Sequence, residues 1–299
     1  VSARRNVALL VAVVLAAIVL VGVVIVQLVA TDDTPVPPDT DRRLRWAPPA
    51  LVRPERIAIP ADGIDVELDP DRDYVLVFPD APVTGRVHIV GGDDIVAIGG
   101  SIVMHEFADA ALEIERWHGV LHVEGLTIDP GGDRGVENDG IRLHGARDGS
   151  VAQLQNVRVD RVTGTRAGAH GDVVQTWAGP ATLRIDRLTG FSDYQGLWLQ
   201  PGKFDHPVLD AIELHRVDLH MVARKGWVLY GIDGTGNPPA PRCSDVYADM
   251  GSVGRWSEQR KRSETRSCVD RGPAPRGEYV PAAAAGARYV SPGYRTARS

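Results

Sequence analysis

Lysine is almost missing from this chain: Lys203, Lys225 and Lys261 stand against thirty arginines. That bias reads as the base composition of a GC-rich genome and carries no function. Aromatic residues make up only 6%, while hydrophobic residues reach 43%, an ordinary globular content. Zinc-ligand spacing, a phosphate-binding glycine loop, a dinucleotide fingerprint and a Gly-x-Ser-x-Gly elbow are all absent. Metal-dependent, nucleotide-dependent and serine-hydrolase chemistry therefore have no support, and no cofactor or metal is expected. An excess of basic charge is also lacking. The formal net charge is −6, and without Arg4 and Arg5 it becomes −8, with 31 basic and 39 acidic residues. A surface of that sign repels nucleic acid and anionic membrane faces alike.

One long apolar run is present, Val7 to Val26, broken once by Gln27 before Ala30. At about 1.5 Å per residue it spans a bilayer core of about 30 Å. Arg4 and Arg5 precede it and Asp32 and Asp33 follow, so the positive-inside bias predicts a cytoplasmic N-terminus and an exported remainder. A cleaved signal peptide is the alternative, but its apolar core is normally 7–15 residues. Leu28-Val29-Ala30 also puts a bulky residue where a cleavage site needs a small one. The reading is a single-pass cell-membrane protein: a cytoplasmic stub and signal anchor over 1–30, then a Pro-rich extended spacer over 31–54. The two cysteines, Cys243 and Cys268, lie beyond the anchor. In an oxidising compartment their even count predicts a disulfide.

Between Gly119 and Asp233 the sequence repeats. Val123-Glu124-Gly125-Leu126-Thr127-Ile128, Leu154-Gln155-Asn156-Val157-Arg158-Val159, Ile185-Asp186-Arg187-Leu188-Thr189-Gly190 and Leu214-His215-Arg216-Val217-Asp218-Leu219 share one pattern, with a turn residue third. Leu126, Val157, Leu188 and Val217 recur at a nearly constant interval of about 30 residues, the mark of stacked structural units. A second series, Ile141 to His144, Val174 to Trp177, Leu197 to Gln200 and Trp227 to Tyr230, occurs once per repeat. In its first three members apolar or small residues alternate with polar or aromatic ones, as in a strand with one buried face. A β-sandwich would instead turn every 8–12 residues or so without long-range register. The prediction is an all-β fold, a right-handed parallel β-helix over 55–250 preceded by one transmembrane helix. The chain resembles the pectin-lyase-like superfamily in this pattern, from Ile57 to Asp249.

Outside the repeat, the strands read before Val90 suit a cap and the first coils, because an open solenoid end exposes core and strand edges. Ile95 to Met104 reads as a fully buried early turn, and Asp245 to Met250 as a last strand. Residues 251–299 read as a C-terminal cap and disordered tail: the mixed charges of 255–276 suggest a solvated face, and Gly272 to Ser299 lacks apolar periodicity.

Aligning the second series predicts two outward columns: His144, Trp177, Gln200 and Tyr230 in one, and Arg142, Gln175, Trp198 and Val228 in the other. Adjacent coils lie about 4.8 Å apart. A strip of flat rings beside amide and guanidinium groups suits sugars, which have apolar faces edged by hydroxyls. In the resembled superfamily this ladder lines a polysaccharide groove. The alternative is that Trp177 and Trp198 are covered core. The acid–base candidates are Asp139, His170 and Asp172, just before these strands. Asn138-Asp139-Gly140-Ile141 resembles the Asn-x-Asp-Gly stretch of polygalacturonase-like β-helices, with Asn138 one residue too close. The family's Asp-Asp pair, Gly-His-Gly and Arg-x-Lys are absent. A carboxylate pair flanking a glycosidic bond is the usual hydrolase machinery. Asp and Asn before a strand also cap turns through side-chain hydrogen bonds. Asp193, Asp205, Asp233 and Lys203 have no spacing that specifies a calcium-dependent lyase site.

The expectation is an extracellular β-helix that engages a polysaccharide or cell-envelope glycan and touches the membrane only through its N-terminal helix. A glycoside hydrolase or polysaccharide lyase, and an envelope protein-interaction or structural module, are the alternatives. Cysteine-accessibility labelling is expected to place residue 3 inside and residue 40 outside the cell. Recovery of a mature chain beginning near Thr31 would replace the anchor with a cleaved leader.

Overall fold

In the computed structural model the residues described are 43–200, 210–222, 241–249 and 268–295, together with the backbone of 227–232. Among them no helix is long and apolar enough to cross a membrane. The apolar run over 7–26 and most of the spacer lie outside the described residues.

Two parallel sheets wind round one core. The first is 11-stranded, and its main path runs Glu55–Ala58, Tyr74–Val77, Ile95–Ile98, Val120–Glu124, Val151–Val162, Thr182–Ser192, Ala211–Met221, Arg242–Asp249 and Asp270–Arg271. The second is 7-stranded: Ile64–Leu68, Val87–Gly91, Ala110–Glu115, Asp139–His144, Asp172–Trp177, Gln195–Gln200 and Trp227–Ile232. Strands alternate between the sheets along the chain, so each circuit adds a rung to both. The chain is a parallel β-solenoid. The strands before Val90, expected to serve as a cap and the first coils, are the first rungs of the two sheets. Ile95 to Met104 supplies two short strands, Ile95–Ile98 and Ser101–Val103, whose Ile98 is exposed rather than buried.

The repeat is explained by the register. Val157 pairs with Leu188, Leu188 with Val217, and Val217 with Val246. Leu126, Val157, Leu188 and Val217 are all fully buried in one core. The third residue of each six-residue unit has left-handed backbone: Gly125 (φ 69°), Asn156 (52°), Arg187 (61°) and Arg216 (51°), continued by Asp245 (57°). Such a residue costs about 1–2 kcal/mol when it is not glycine. Here it bends each strand sharply, so that both limbs keep their ladder bonds and turn their apolar faces inward.

The chain ends are packed onto the first sheet. Residues 43–47, expected to belong to the spacer, lie along its outer face. There the Trp46 N–H donates to Gln155 Oε1 (3.0 Å), and the Gln155 amide returns a bond to the Trp46 carbonyl (2.6 Å). Leu44 is buried and bridges to Tyr294. The described part of the expected tail, 272–295, is an ordered strap rather than disorder. The Cys243–Cys268 disulfide is present, and beyond it Asp270–Arg271 extends the first sheet. The strap then returns along the bent corners, where the Val280 N–H donates to Thr189 Oγ1 (2.9 Å) and the Gly286 N–H to the Gly125 carbonyl (2.8 Å). The Tyr289 and Tyr294 hydroxyls both donate to the buried Glu124 carboxylate (2.7 and 2.6 Å). Burial would lift that carboxyl, but bonds from His122, Tyr294, Ser291 and Tyr289 outweigh it and hold it below the usual range. A strap anchored by hydrogen bonds and a few rings has no apolar period, which is why pattern reading missed it.

Replacing Leu188 by Asp puts an unpaired charge in a dry core and is expected to cost more than about 4 kcal/mol in denaturant unfolding. Asn156→Val and Asn156→Gly both lose the side-chain bond to the Ala284 carbonyl. The valine variant should be the weaker by a further ~1–2 kcal/mol, because only it strains the left-handed corner.

Candidate functional site

The second sheet carries the predicted columns, and they are longer than expected. Register puts Asp65, His88, Glu113, Arg142, Gln175 and Trp198 in one outward column. Glu67, Val90, Glu115, His144, Trp177 and Gln200 form the other. Val174, Thr176, Leu197 and Leu199 point inward and are buried. The fourth expected members do not fit. The register shifts between Leu197 and Trp198, so Trp198 faces Gly231, and Val228 and Tyr230 fall out of the columns. The side chain of Tyr230 lies outside the described residues, as do Lys203, Asp205 and Asp233.

Toward the C-terminal rungs the strip is aromatic. Trp177 is half-buried, not largely exposed as its outward pleat suggested. It lies under the Arg142 guanidinium (5.3 Å to the ring centre) and beside His144 (6.0 Å). Trp198 is half-buried too. The exposed His170 ring stacks on Tyr194 (5.8 Å, 27°) and lies 6.4 Å from Trp198. Tyr194 has no counterpart in the sequence repeat; it entered the cluster only because its loop closes on the loop that carries His170.

Toward the N-terminal rungs the strip is ionic. Arg86 reaches Asp65 (2.8 Å) and Glu113 (3.2 Å). His88 lies between Asp65 (3.1 Å) and Glu115 (3.0 Å). His144 lies between Glu113 (3.0 Å) and Glu115 (3.6 Å). Sequence reading missed Asp65, Arg86, His88, Glu113 and Glu115. Their signal was the alternation in Ile64 to Leu68 and Leu112 to Glu115, but loop lengths vary from coil to coil and no fixed period links them.

The candidate carboxylates have other work. Asp139 is 3% and Asp172 0% exposed. Asp139 accepts the Asp172 N–H from the next coil (2.8 Å) and binds Arg142 (2.8 Å). Gln175 Nε2 donates to Asp172 (2.7 Å). Asn138, fully buried, accepts the Ala108 N–H and donates to the Glu106 and Pro130 carbonyls, clamping three loop segments. Asp193 accepts from Thr163 Oγ1 (2.8 Å). These are turn-capping geometries. Burial pushes Asp139 up to about 6 against the pull of Arg142. Burial and the Asp139 charge push Asp172 well above the carboxylate range.

Elsewhere an open depression of about 550 Å³ is lined by Asp71, Asp73, Asp93 and Asp94 with Arg53 and Arg72. Two of its carboxylates are occupied with the chain's own backbone, Asp94 accepting the Val120 N–H (2.7 Å) and Asp73 the Val52 N–H. Among the described residues no group of three or more His, Cys, Asp or Glu side chains is arranged to hold a metal. Comparison with known proteins gives no match to a family model, a curated protein or a solved structure.

Both carboxyl shifts are upward, so the folded chain keeps a proton that the unfolded chain releases above about pH 4. This pair therefore makes stability fall as pH rises from about 4 through about 6. Asp172→Asn removes one of the coupled acids. It is expected to flatten the decline in melting temperature between pH 5 and 7.5 relative to the unsubstituted chain. An unchanged slope would assign the proton to other groups.

Proposed function

We propose that this protein is a membrane-anchored, extracellular, right-handed β-helix of the pectin-lyase-like type that holds a polysaccharide along the outer face of its second sheet. The observation that carries this reading is the division of labour between the two sheets. The described terminal segments cover the first sheet, whereas the second sheet presents half-buried Trp177 and Trp198 beside Arg142, His144, Gln175 and Gln200. Trp177 and Trp198 stand in neighbouring columns on adjacent coils, so a chain of sugar rings crossing them meets an apolar face at each ring and a polar edge beside it. A long ligand lies along an open face and needs no deep cavity. The Cys243–Cys268 bridge fits an oxidising, extracellular setting. The acidic balance of the chain fits a partner other than nucleic acid.

Holding is favoured over cleaving. The carboxylates that hydrolysis would need, Asp139 and Asp172, are enclosed and engaged in capping, and His170 alone supplies no acid–base pair. A protein partner would instead call for an unbroken apolar patch, and on this strip every ring is interleaved with polar groups.

The purified full-length chain on a glycan array is expected to bind at least one polysaccharide class. Trp177→Ala should weaken that binding about tenfold or more with little change in melting temperature, since a side chain on the wet face leaves only a partial cavity. If Trp177→Ala costs the 3–5 kcal/mol or so of a buried aromatic instead, Trp177 belongs to the core and the strip is not a binding face.

A further inference from the structure

Beside the first sheet stands a guanidinium that no carboxylate holds. Arg45 belongs to the N-terminal segment laid over that sheet and is half-buried. Its Nε is enclosed without an acceptor. The rest of its guanidinium makes no hydrogen bond and no ion pair with the described residues. The backbone on either side is nevertheless fixed. The Arg45 N–H donates to Asp186 (3.1 Å), and the Leu44 carbonyl accepts the Arg295 N–H (2.8 Å). The residue is held in place while its charge is left without a partner.

The charges around it do not supply one. Two carboxylates act on Arg45, Asp186 and Glu213. Asp186, fully buried, accepts Nε (2.7 Å) and Nη2 of Arg216 as well as the Arg45 N–H. Glu213 is taken by Arg242 (2.9 Å) and Arg184 (3.4 Å). Two cations act on Arg45 as well, Arg295 from the strap and Arg216 from the corner of the sheet. Arg187 stands at the same corner one coil before Arg216. The next acid in that corner column is the exposed Asp245, one coil past Arg216, and it is not among the principal charges acting on Arg45. Burial pushes the Arg45 guanidinium below its ordinary value; Asp186 draws it back, and Arg295 and Arg216 press it further down. His215, on the coil of Arg216, feels the same field: burial first and the Arg45 charge second bring it down to about 4. Guanidiniums from three segments thus act on one another where the acids are already engaged.

We infer that Arg45, Arg216 and Arg295 form a binding site for a phosphate or sulfate group. The terminal amino groups of Arg45 receive it, since the Nε is enclosed. A guanidinium presents its donors as a planar fork that matches two oxygens of such an anion, a match that chloride cannot make. A doubly charged oxyanion also offsets the repulsion between Arg45 and Arg295. Bound there, it ties the N-terminal segment, the strap and the first sheet together, so its binding is linked to the docking of both terminal segments. The site lies on the first sheet and does not depend on the glycan-holding reading of the second. The group is a free ion or part of a larger molecule, and the test separates the two.

Calorimetric titration of inorganic phosphate or sulfate into the full-length chain, at fixed ionic strength with chloride as the balancing ion, is expected to show saturable binding. About 10 mM of the better ion should raise the melting temperature by roughly 2–4 °C over chloride. Arg45→Gln should weaken binding about tenfold or more and remove most of that rise. Arg72→Gln, at a guanidinium paired with Glu55 on the first coil, should change neither. The Arg45 side chain makes no bond, so Arg45→Gln is expected to keep the melting temperature measured in chloride. Arg295→Gln is the second variant and should weaken binding severalfold. Sulfated dextran separates the sources. Tighter binding per sulfate than the free ion, lost in Arg45→Gln, assigns the site to a polymer-borne group; equal or weaker binding assigns it to the free ion. If neither ion nor the dextran binds the unsubstituted chain saturably, the inference is overturned. Binding that Arg45→Gln and Arg295→Gln both leave unchanged overturns it as well.

Discussion

In a stack of parallel strands each backbone N–H finds its acceptor on the neighbouring coil, so residues one circuit apart are locked into columns about 4.8 Å apart. Everything else in this molecule is built on those columns. Inward positions become continuous apolar files such as Leu126, Val157, Leu188, Val217 and Val246. Outward positions become ladders in which a side chain's neighbours are its equivalents on the coils above and below. Where the ladder must turn a corner, left-handed residues recur at one height, and the chain accepts that strain at Asn156, Arg187, Arg216 and Asp245 because the alternative is a broken register.

The outer face of the first sheet illustrates how such a fold handles polar columns it does not leave to solvent. Asp186 and Glu124 are fully buried, the one paired with Arg216 and the Arg45 N–H, the other bonded by two tyrosine hydroxyls from the strap. Leaving either carboxylate without its partners would strand a charge in a desolvated site. The terminal segments therefore act as part of the domain. They complete hydrogen bonds that the solenoid by itself leaves open, and they leave the second sheet as the face with a row of rings among polar groups.

On that second face the same column logic produces two chemically different halves. Histidines and arginines interleave with carboxylates on the early rungs, and aromatic and amide groups occupy the later ones. The inward-outward alternation of Val174 to Trp177 was legible from residue type, because β-pleating has a period of two whatever the rest of the fold does. The roles of Asp139 and Asp172 were not. Their placement at the start of adjacent rungs was correct, yet whether a carboxylate there caps a backbone N–H or meets a ligand depends on how tightly neighbouring loops close over it. Here Asn138 ties those loops together and seals them.

Residue order alone determined the class of fold, the column of inward residues, the corner position in each repeat, the pairing partners Cys243 and Cys268, and the outward character of Arg142, His144, Gln175, Trp177, Trp198 and Gln200. Each of these follows from periodicity, or from residue chemistry that survives averaging over loops. Only the tertiary structure decided the register slip that removes Tyr230 from its column, the continuation of the ladder to Asp65, the stacking of His170 on Tyr194, and the docking of residues 272–295 as a strap. Those depend on loop lengths, on single anchor residues and on contacts between segments far apart in the chain, such as the bridge between Leu44 and Tyr294. None of them leaves a periodic trace in the chain, because hydrogen bonds from one tyrosine to one buried carboxylate need only two residues and the right geometry between them.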